Sequence, residues 1–176
     1  MRFEALPLAG AFRVSPEPHA DARGFFARTA CTEDFAARGL VGAFVQSSIS
    51  YNARRGTVRG LHFSIDPHAE TKLVRCTAGA IHDVIVDLRP ESTTYLQAYA
   101  ADLSAENRHA LYIPAGFAHG FQALSDGAEV LYMIDRGYVA AGARGLRWND
   151  PALDVTWPEP VTVIAERDLA YPDWVA

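Results

Sequence analysis

From Phe44 to Trp148 the chain is a succession of short β-prone runs, each stopped by turn-forming residues, and this cadence decides the fold class. The runs span 44–51, 57–64, 72–78, 80–88, 94–102, 109–113, 119–125, 128–136 and 144–148. Gly56, Gly79, Pro90, Pro114-Ala115-Gly116 and Asp126-Gly127 fall between them. Strands returning at intervals of about 8–12 residues imply an antiparallel sandwich or barrel, and a jelly roll fits best. Asp126-Gly127 carries the signal of a tight hairpin. Helix is scarce. Thr32-Glu33-Asp34-Phe35-Ala36-Ala37-Arg38-Gly39 reads as a short helix with Thr32 as its cap, acids in its first turn and Gly39 at its end. Residues 102–108 allow one helical turn.

The flanks are less regular. A strand is expected at 11–14, and Asp21-Ala22-Arg23-Gly24-Phe25-Phe26 reads as a hairpin turn running into aromatics. The last stretch, about 150–176, carries Pro151, Pro158, Pro160 and Pro172, so it is expected to wrap the surface in extended form. A chain of 176 residues with no repeat and no linker suits a single domain over 1–176. A formal net charge of -5 argues against a nucleic-acid partner but leaves room for a local basic pocket holding an anionic small molecule. Cys31 and Cys76 are too few for a disulfide framework and read as reduced thiols. No apolar run approaches the roughly 20 residues of a membrane span, and no leader pattern is present, so a cytoplasmic location is expected.

Chemistry concentrates between Gln46 and Lys72. Arg59, His62 and Lys72 lie within fourteen positions, in β-prone sequence where unpaired charge is costly. Strict alternation would put His62 on one face of its strand and Arg59 on the other. A bulge at Gly60 would let the two share a pocket. Taken alone, a histidine in the position of His62 is more often a hydrogen-bonded structural residue than a catalyst.

Three further clusters stand out. Pro114-Ala115-Gly116-Phe117-Ala118-His119 resembles the second motif of the cupin superfamily, whose barrels often hold a metal through several histidines. The matching first motif requires His-x-His, and position 64 is Ser64, so the pair is missing; His68 and Glu70 remain conceivable ligands beside His62 and His119. Tyr132 shares a strand face with Val130 and Ile134, as either a core tyrosine or a phenol able to donate a proton to a basic enolate. Asp83 and Asp87 share the face of another strand and need cationic partners, for which Lys72, Arg59 or His62 would serve.

Taken in order, these motifs resemble the dTDP-4-dehydrorhamnose 3,5-epimerases, nucleotide-sugar enzymes built on a metal-free, cupin-like jelly roll. The resemblance covers nearly the whole chain. It is carried by Asp21-x-Arg23-Gly24-x-Phe26, the Gln46 strand, Arg59-Gly60-Leu61-His62-Phe63 and Lys72-Leu73-Val74-Arg75. Asp83-Val84-x-Val86-Asp87-Leu88-Arg89, the Ile113 to Phe121 segment, Tyr132 and Trp148-Asn149-Asp150-Pro151 complete it. It implies that His62 is the catalytic base paired with Asp168, that Tyr132 donates the proton on the opposite face, and that Lys72 meets the enolate oxygen with His119 nearby. Arg23, Phe26, Gln46, Arg59, Tyr138 and Arg167 would hold a nucleotide sugar, with Arg28 and Ser48 in the same surroundings.

The resemblance further implies a homodimer in which the Arg23 segment, within residues of about 1–40, reaches the neighbouring site. No cofactor or metal is implied. The chain departs from the family pattern at Arg28, where Glu is usual, at Ser48 for Asn, at Ala143 for Glu and at Arg167 for Lys. The first three changes fall in the nucleotide and sugar surroundings rather than among the proton-transfer residues. The competing readings are a metal-dependent cupin using His62, His68, Glu70 and His119, and a sugar-binding cupin without catalysis.

Overall fold

The computed structural model describes residues 1–175; the last residue of the expected tail, Ala176, lies outside the described residues. The strands, in chain order, are β1 (Arg2–Ala5), β2 (Phe12–Ser15), β3 (His19–Asp21), β4 (Gly24–Phe26), β5 (Gln46–Asn52), β6 (Thr57–Ser64) and β7 (Lys72–Ala78). They continue as β8 (Ala80–Asp87), β9 (Ala98–Ser104), β10 (Ala110–Ile113), β11 (Phe117–Ala123), β12 (Ala128–Ile134), β13 (Ala143–Gly145) and β14 (Val163–Ile164). Two short helices, α1 (Thr32–Ala36) and α2 (Glu166–Leu169), complete the regular structure.

One antiparallel sheet has the order β1-β2-β10-β7-β12-β5 and the other β13-β6-β11-β8-β9, with β14 added in parallel to β6. From β5 to β13 nearly every connection changes sheet, which is the winding of the expected cupin-like jelly roll. Val74, Leu111 and Val130 from the first sheet meet Ile81, Ile85, Phe117 and Phe121 from the second in a buried interior. The outer face of the second sheet, with Leu61, Val84 and Ala118, is covered by Leu153, Trp157 and Trp174 of the tail. The outer face of the first sheet packs Leu73 and Tyr112 against Phe35 of α1. Covering on both faces explains why every residue of β11 is buried.

Several expectations are revised. Residues 94–97 form a turn, and the strand expected at 94–102 begins at Ala98. The buried Asp87 carboxylate accepts hydrogen bonds from Arg89, Ser92 and Thr94, while its carbonyl accepts one from the Leu96 amide. Those local bonds satisfy the polar groups that a longer strand would have used. Asp87 and Asp83 therefore do not depend on Lys72, Arg59 or His62; Asp87 pairs with Arg89 and Asp83 with His119. Thr32 is the first helical residue rather than the cap, and its Oγ1 donates to the Gly42 carbonyl. Gly39, at φ +69°, ends the turns after the helix as expected. Asp126-Gly127 does form a turn, but the strands on either side pair in different sheets, so it is a corner rather than a hairpin.

The hairpin around Arg23 is present as β3 and β4. The tail is largely irregular, as its prolines predict, but it also contributes β14 and α2. No helix among the described residues is long and apolar enough to cross a membrane.

Candidate active site

The site is built around a break in β6. His62 pairs with His119 and Arg59 with Phe121, so three steps along β6 match two along β11. Gly60 absorbs the extra residue at φ +129°, a region open to glycine but costly for other residues. A Cβ on Gly60 would lie 2.5 Å from Gly120 Cα, and one on Gly120 would lie 2.8 Å from the Arg59 carbonyl. Two glycines face to face thus permit the bulge. Its effect is to send Arg59 and His62 into one cavity of about 310 Å3.

Gln46, Ser48, Lys72, His119, Tyr132 and Arg167 line the same cavity, so eight of the residues singled out in the sequence converge there. His62 enters from the second sheet and Tyr132 from the first. Tyr138 borders an adjoining recess of about 140 Å3 that shares His62, Lys72 and Arg167 with the main cavity. Asp168 stands behind His62, its side chain only 2% exposed. Arg23, Phe26 and Arg28 are not part of this chain's cavity. The Arg23 side chain is 90% exposed and paired with Asp21, Phe26 is exposed, and Arg28 borders a separate cavity near Asp34 and Glu17.

The electrostatics follow from burial and pairing. His62 Nε2 lies 2.8 Å from Asp168 Oδ1, while the Gly60 amide donates to Asp168 Oδ2 at 3.2 Å. Burial pushes the Asp168 carboxyl up, but the bond and charge of His62, the Gly60 amide and the Arg167 charge outweigh it and hold it below the usual carboxylate range. His119 Nε2 makes a second, buried pair with Asp83 at 2.8 Å, and its ring meets Tyr132 edge-on at 6.0 Å. Burial also drives the Tyr132 phenol well above its ordinary value of 10.0; a long hydrogen bond with Ser50 at 3.5 Å and the Arg59 charge offset this only in part. Tyr132 therefore keeps its proton as a neutral donor.

Lys72 Nζ is 3.0 Å from Glu70 Oε1, with both side chains largely shielded from water. Among the described residues Arg59 has no carboxylate partner; its Nε donates to Asn52 Oδ1 and its Nη2 to the Tyr51 carbonyl. Arg59, Lys72 and Arg167 against Glu70 give the cavity a cationic lining, suited to an anionic ligand.

Of the four residues of the metal-centred alternative, His62, Glu70 and His119 line the cavity, but each is engaged by another partner, and His68 stands outside it. His62 and His119 are each bound to a carboxylate, Glu70 to Lys72, and His68 packs on Gly142. Among the described residues no group of three or more His, Cys, Asp or Glu side chains is placed to hold a metal ion.

Some lining residues carried little sequence signal. Ser50 follows Gln46 and Ser48 at alternate positions of β5, and that period of two was the available clue. Tyr171 and Arg144, on the wall of the recess, lie in segments with no local pattern. Nothing in the sequence marked Glu70 as the partner of Lys72.

Comparisons with known proteins find relatives both in sequence and in structure. A family model described as dTDP-4-dehydrorhamnose 3,5-epimerase matches residues 5–175. A Sinorhizobium fredii protein named dTDP-4-dehydrorhamnose 3,5-epimerase is 42% identical over 173 residues, covering 98% of this chain and 89% of that one. The crystal structure of a dTDP-4-dehydrorhamnose 3,5-epimerase from Elizabethkingia anophelis superposes with a TM-score of 0.96 at 37% identity, over 99% of this chain and 96% of the other. One from Bacillus anthracis, solved with TDP and PPi bound, gives a TM-score of 0.94 at 38% identity, over 98% and 99% of the two chains.

Proposed function

The chain belongs to the dTDP-4-dehydrorhamnose 3,5-epimerase family, and from that premise we propose how its own side chains carry the reaction. The reaction is inversion at C3 and C5 of a dTDP-4-keto-6-deoxy sugar. The C4 ketone acidifies both neighbouring C–H bonds, because the electron pair left on carbon delocalises onto O4. His62 removes the proton, and Asp168 orients the ring and balances the imidazolium that forms. Lys72 stabilises the negative charge on O4. Tyr132 returns a proton to carbon from the opposite side, which inverts the centre. Solvent then takes the proton from His62 and restores that of Tyr132. General acid–base help contributes roughly 10²–10⁴ in rate, so the fixed charge of Lys72 must supply much of the rest.

The observation that carries this reading is that His62 and Tyr132 line one cavity from opposing sheets, with Lys72 in the same lining. Its test is proton exchange in deuterated water, followed by NMR with a dTDP-4-keto-6-deoxy sugar. His62→Ala should lose deuterium incorporation at C3 and C5 while still binding the nucleotide sugar; retained exchange assigns the base elsewhere.

Arg59, Gln46, Ser48, Tyr138 and Arg167 hold the nucleotide sugar, the guanidiniums facing its diphosphate. The chain works as one jelly-roll domain in a cytoplasmic homodimer. Arg23, Phe26 and Arg28 act on the partner's ligand, which accounts for a projecting hairpin whose aromatic side chains face solvent. A second feature supports the dimer. The edge strand β5 turns Gln46, Ser48 and Ser50 into the cavity and exposes Ile49 and Tyr51, preceded by Val45 just outside it, an apolar stripe that a second copy would cover.

A further inference from the structure

Tyr171 occupies space that the second sheet leaves open. Gly145 of β13 is the cross-strand neighbour of His62. The Tyr171 ring lies on that glycine so closely that a Cβ there would come within 2.1 Å of Cε2 and 2.3 Å of Cζ. From this position the ring meets the His62 imidazole edge-on, with centroids 6.0 Å apart and planes at 74°. The backbone that follows is fastened down. The Arg147 amide donates to the Pro172 carbonyl, the Arg147 guanidinium lies 2.7 Å from Asp173, and the Trp174 amide donates to the buried Asp150 carboxylate. Asp168, three positions before Tyr171, holds the imidazole by Nε2.

One hydrogen bond does not fix an imidazole, because rotation about its Cβ–Cγ bond is broad and only weakly restrained. An aromatic ring packed edge-on at this distance removes that freedom. Proton abstraction from carbon depends on alignment, and a displacement of about 1 Å is enough to cost roughly 10²-fold in rate. We propose that Tyr171 is a positioning residue for His62, its ring holding the imidazole plane while Asp168 holds one nitrogen. The inference rests on His62 being the base. The aromatic ring is what matters; the hydroxyl is dispensable.

The test compares kcat and KM for deuterium exchange at C3 and C5. Tyr171→Ala should lower kcat about 10- to 100-fold and leave KM within about threefold, whereas Tyr171→Phe should restore turnover. A raised KM with unchanged kcat would make Tyr171 a ligand-binding wall and overturn the proposal, as would failure of the phenylalanine to rescue. Gly145→Ala provides an independent variant, since its methyl displaces the ring without altering residue 171. Its kcat should fall similarly, and adding it to Tyr171→Ala should cost less than about twofold more, because the space is then vacant. Multiplicative losses would refute the shared role. Exchange that survives His62→Ala sinks the assignment of the base; exchange lost there but untouched in Tyr171→Ala sinks this inference alone.

Discussion

His62 and Asp168 are 106 positions apart in sequence and 2.8 Å apart in space, joined because α2 of the tail docks beside the bulge in β6. The carboxylate serves two groups, the imidazole and the Gly60 amide, so its removal disturbs both. Asp168→Asn keeps the shape but removes the charge that balances an imidazolium. Exchange at C3 and C5 should fall by about 10²–10⁴ with affinity for the nucleotide sugar preserved. A loss under tenfold would show that His62 works without its partner.

The Tyr132 phenol, lifted by burial above its ordinary value of 10.0, should remain protonated through the alkaline range. A group with a raised pKa holds its proton at pH values where a free phenol has begun to lose it. The phenolate difference absorbance between the protein and its Tyr132→Phe variant should therefore be flat up to pH 10. In turnover, Tyr132→Phe should impair inversion more than exchange, since His62 can still deprotonate carbon. A Tyr132 phenolate signal near pH 8 would remove its standing as a neutral donor.

Gly60→Ala tests the bulge itself. The new methyl would meet Gly120 Cα at 2.5 Å, with the backbone at φ +129°. Thermal or urea unfolding should show a loss of about 2–4 kcal/mol. Stability within 0.5 kcal/mol or so of the parent would mean that the two strands separate more easily than their packing implies.

Asp87 sets part of the acid limit. Burial opposes its charge, but hydrogen bonds from Arg89, Ser92 and Thr94 prevail and bring its pKa down to about 2. Because the folded value lies below the unfolded one, near 3.9, the stabilisation is complete above about pH 4 and is lost as pH falls toward 2. Its size is roughly 2 kcal/mol. Asp87→Asn should destabilise the protein at pH 7 and flatten the acid side of its unfolding curve between those limits. An unchanged acid profile would assign the transition to other carboxylates.

The strand cadence made the jelly roll legible, because alternation and turn residues are local properties. The Gly60 bulge was legible for a related reason: Arg59 and His62 could share a cavity only if the pleat broke, and glycine marked the place. Asp168 is different in kind. Nothing around Glu166-Arg167-Asp168 announces a partner for an imidazole, and only family resemblance placed it there. The turn at 94–97 was misread because its cause, the Asp87 carboxylate, lies in the preceding strand. Tyr171 was missed because its packing depends on an absent side chain at Gly145, and residues that meet only through tertiary structure leave no periodicity.

The tail makes the histidine's competence conditional. A proteolytic clip between Asp150 and Val163 would leave the strands of both sheets and the interior between them in place, yet α2 would then be held only through β14 on one side and the Pro172, Asp173 and Trp174 contacts on the other. Each excursion of that helix would take Asp168 and Arg167 away together, unpartnering the base and thinning the cationic lining at the same moment. Nicked protein should thus retain its β-sheet signature while losing turnover in proportion to tail release, a decoupling of folding from activity encoded in where the carboxylate is stored.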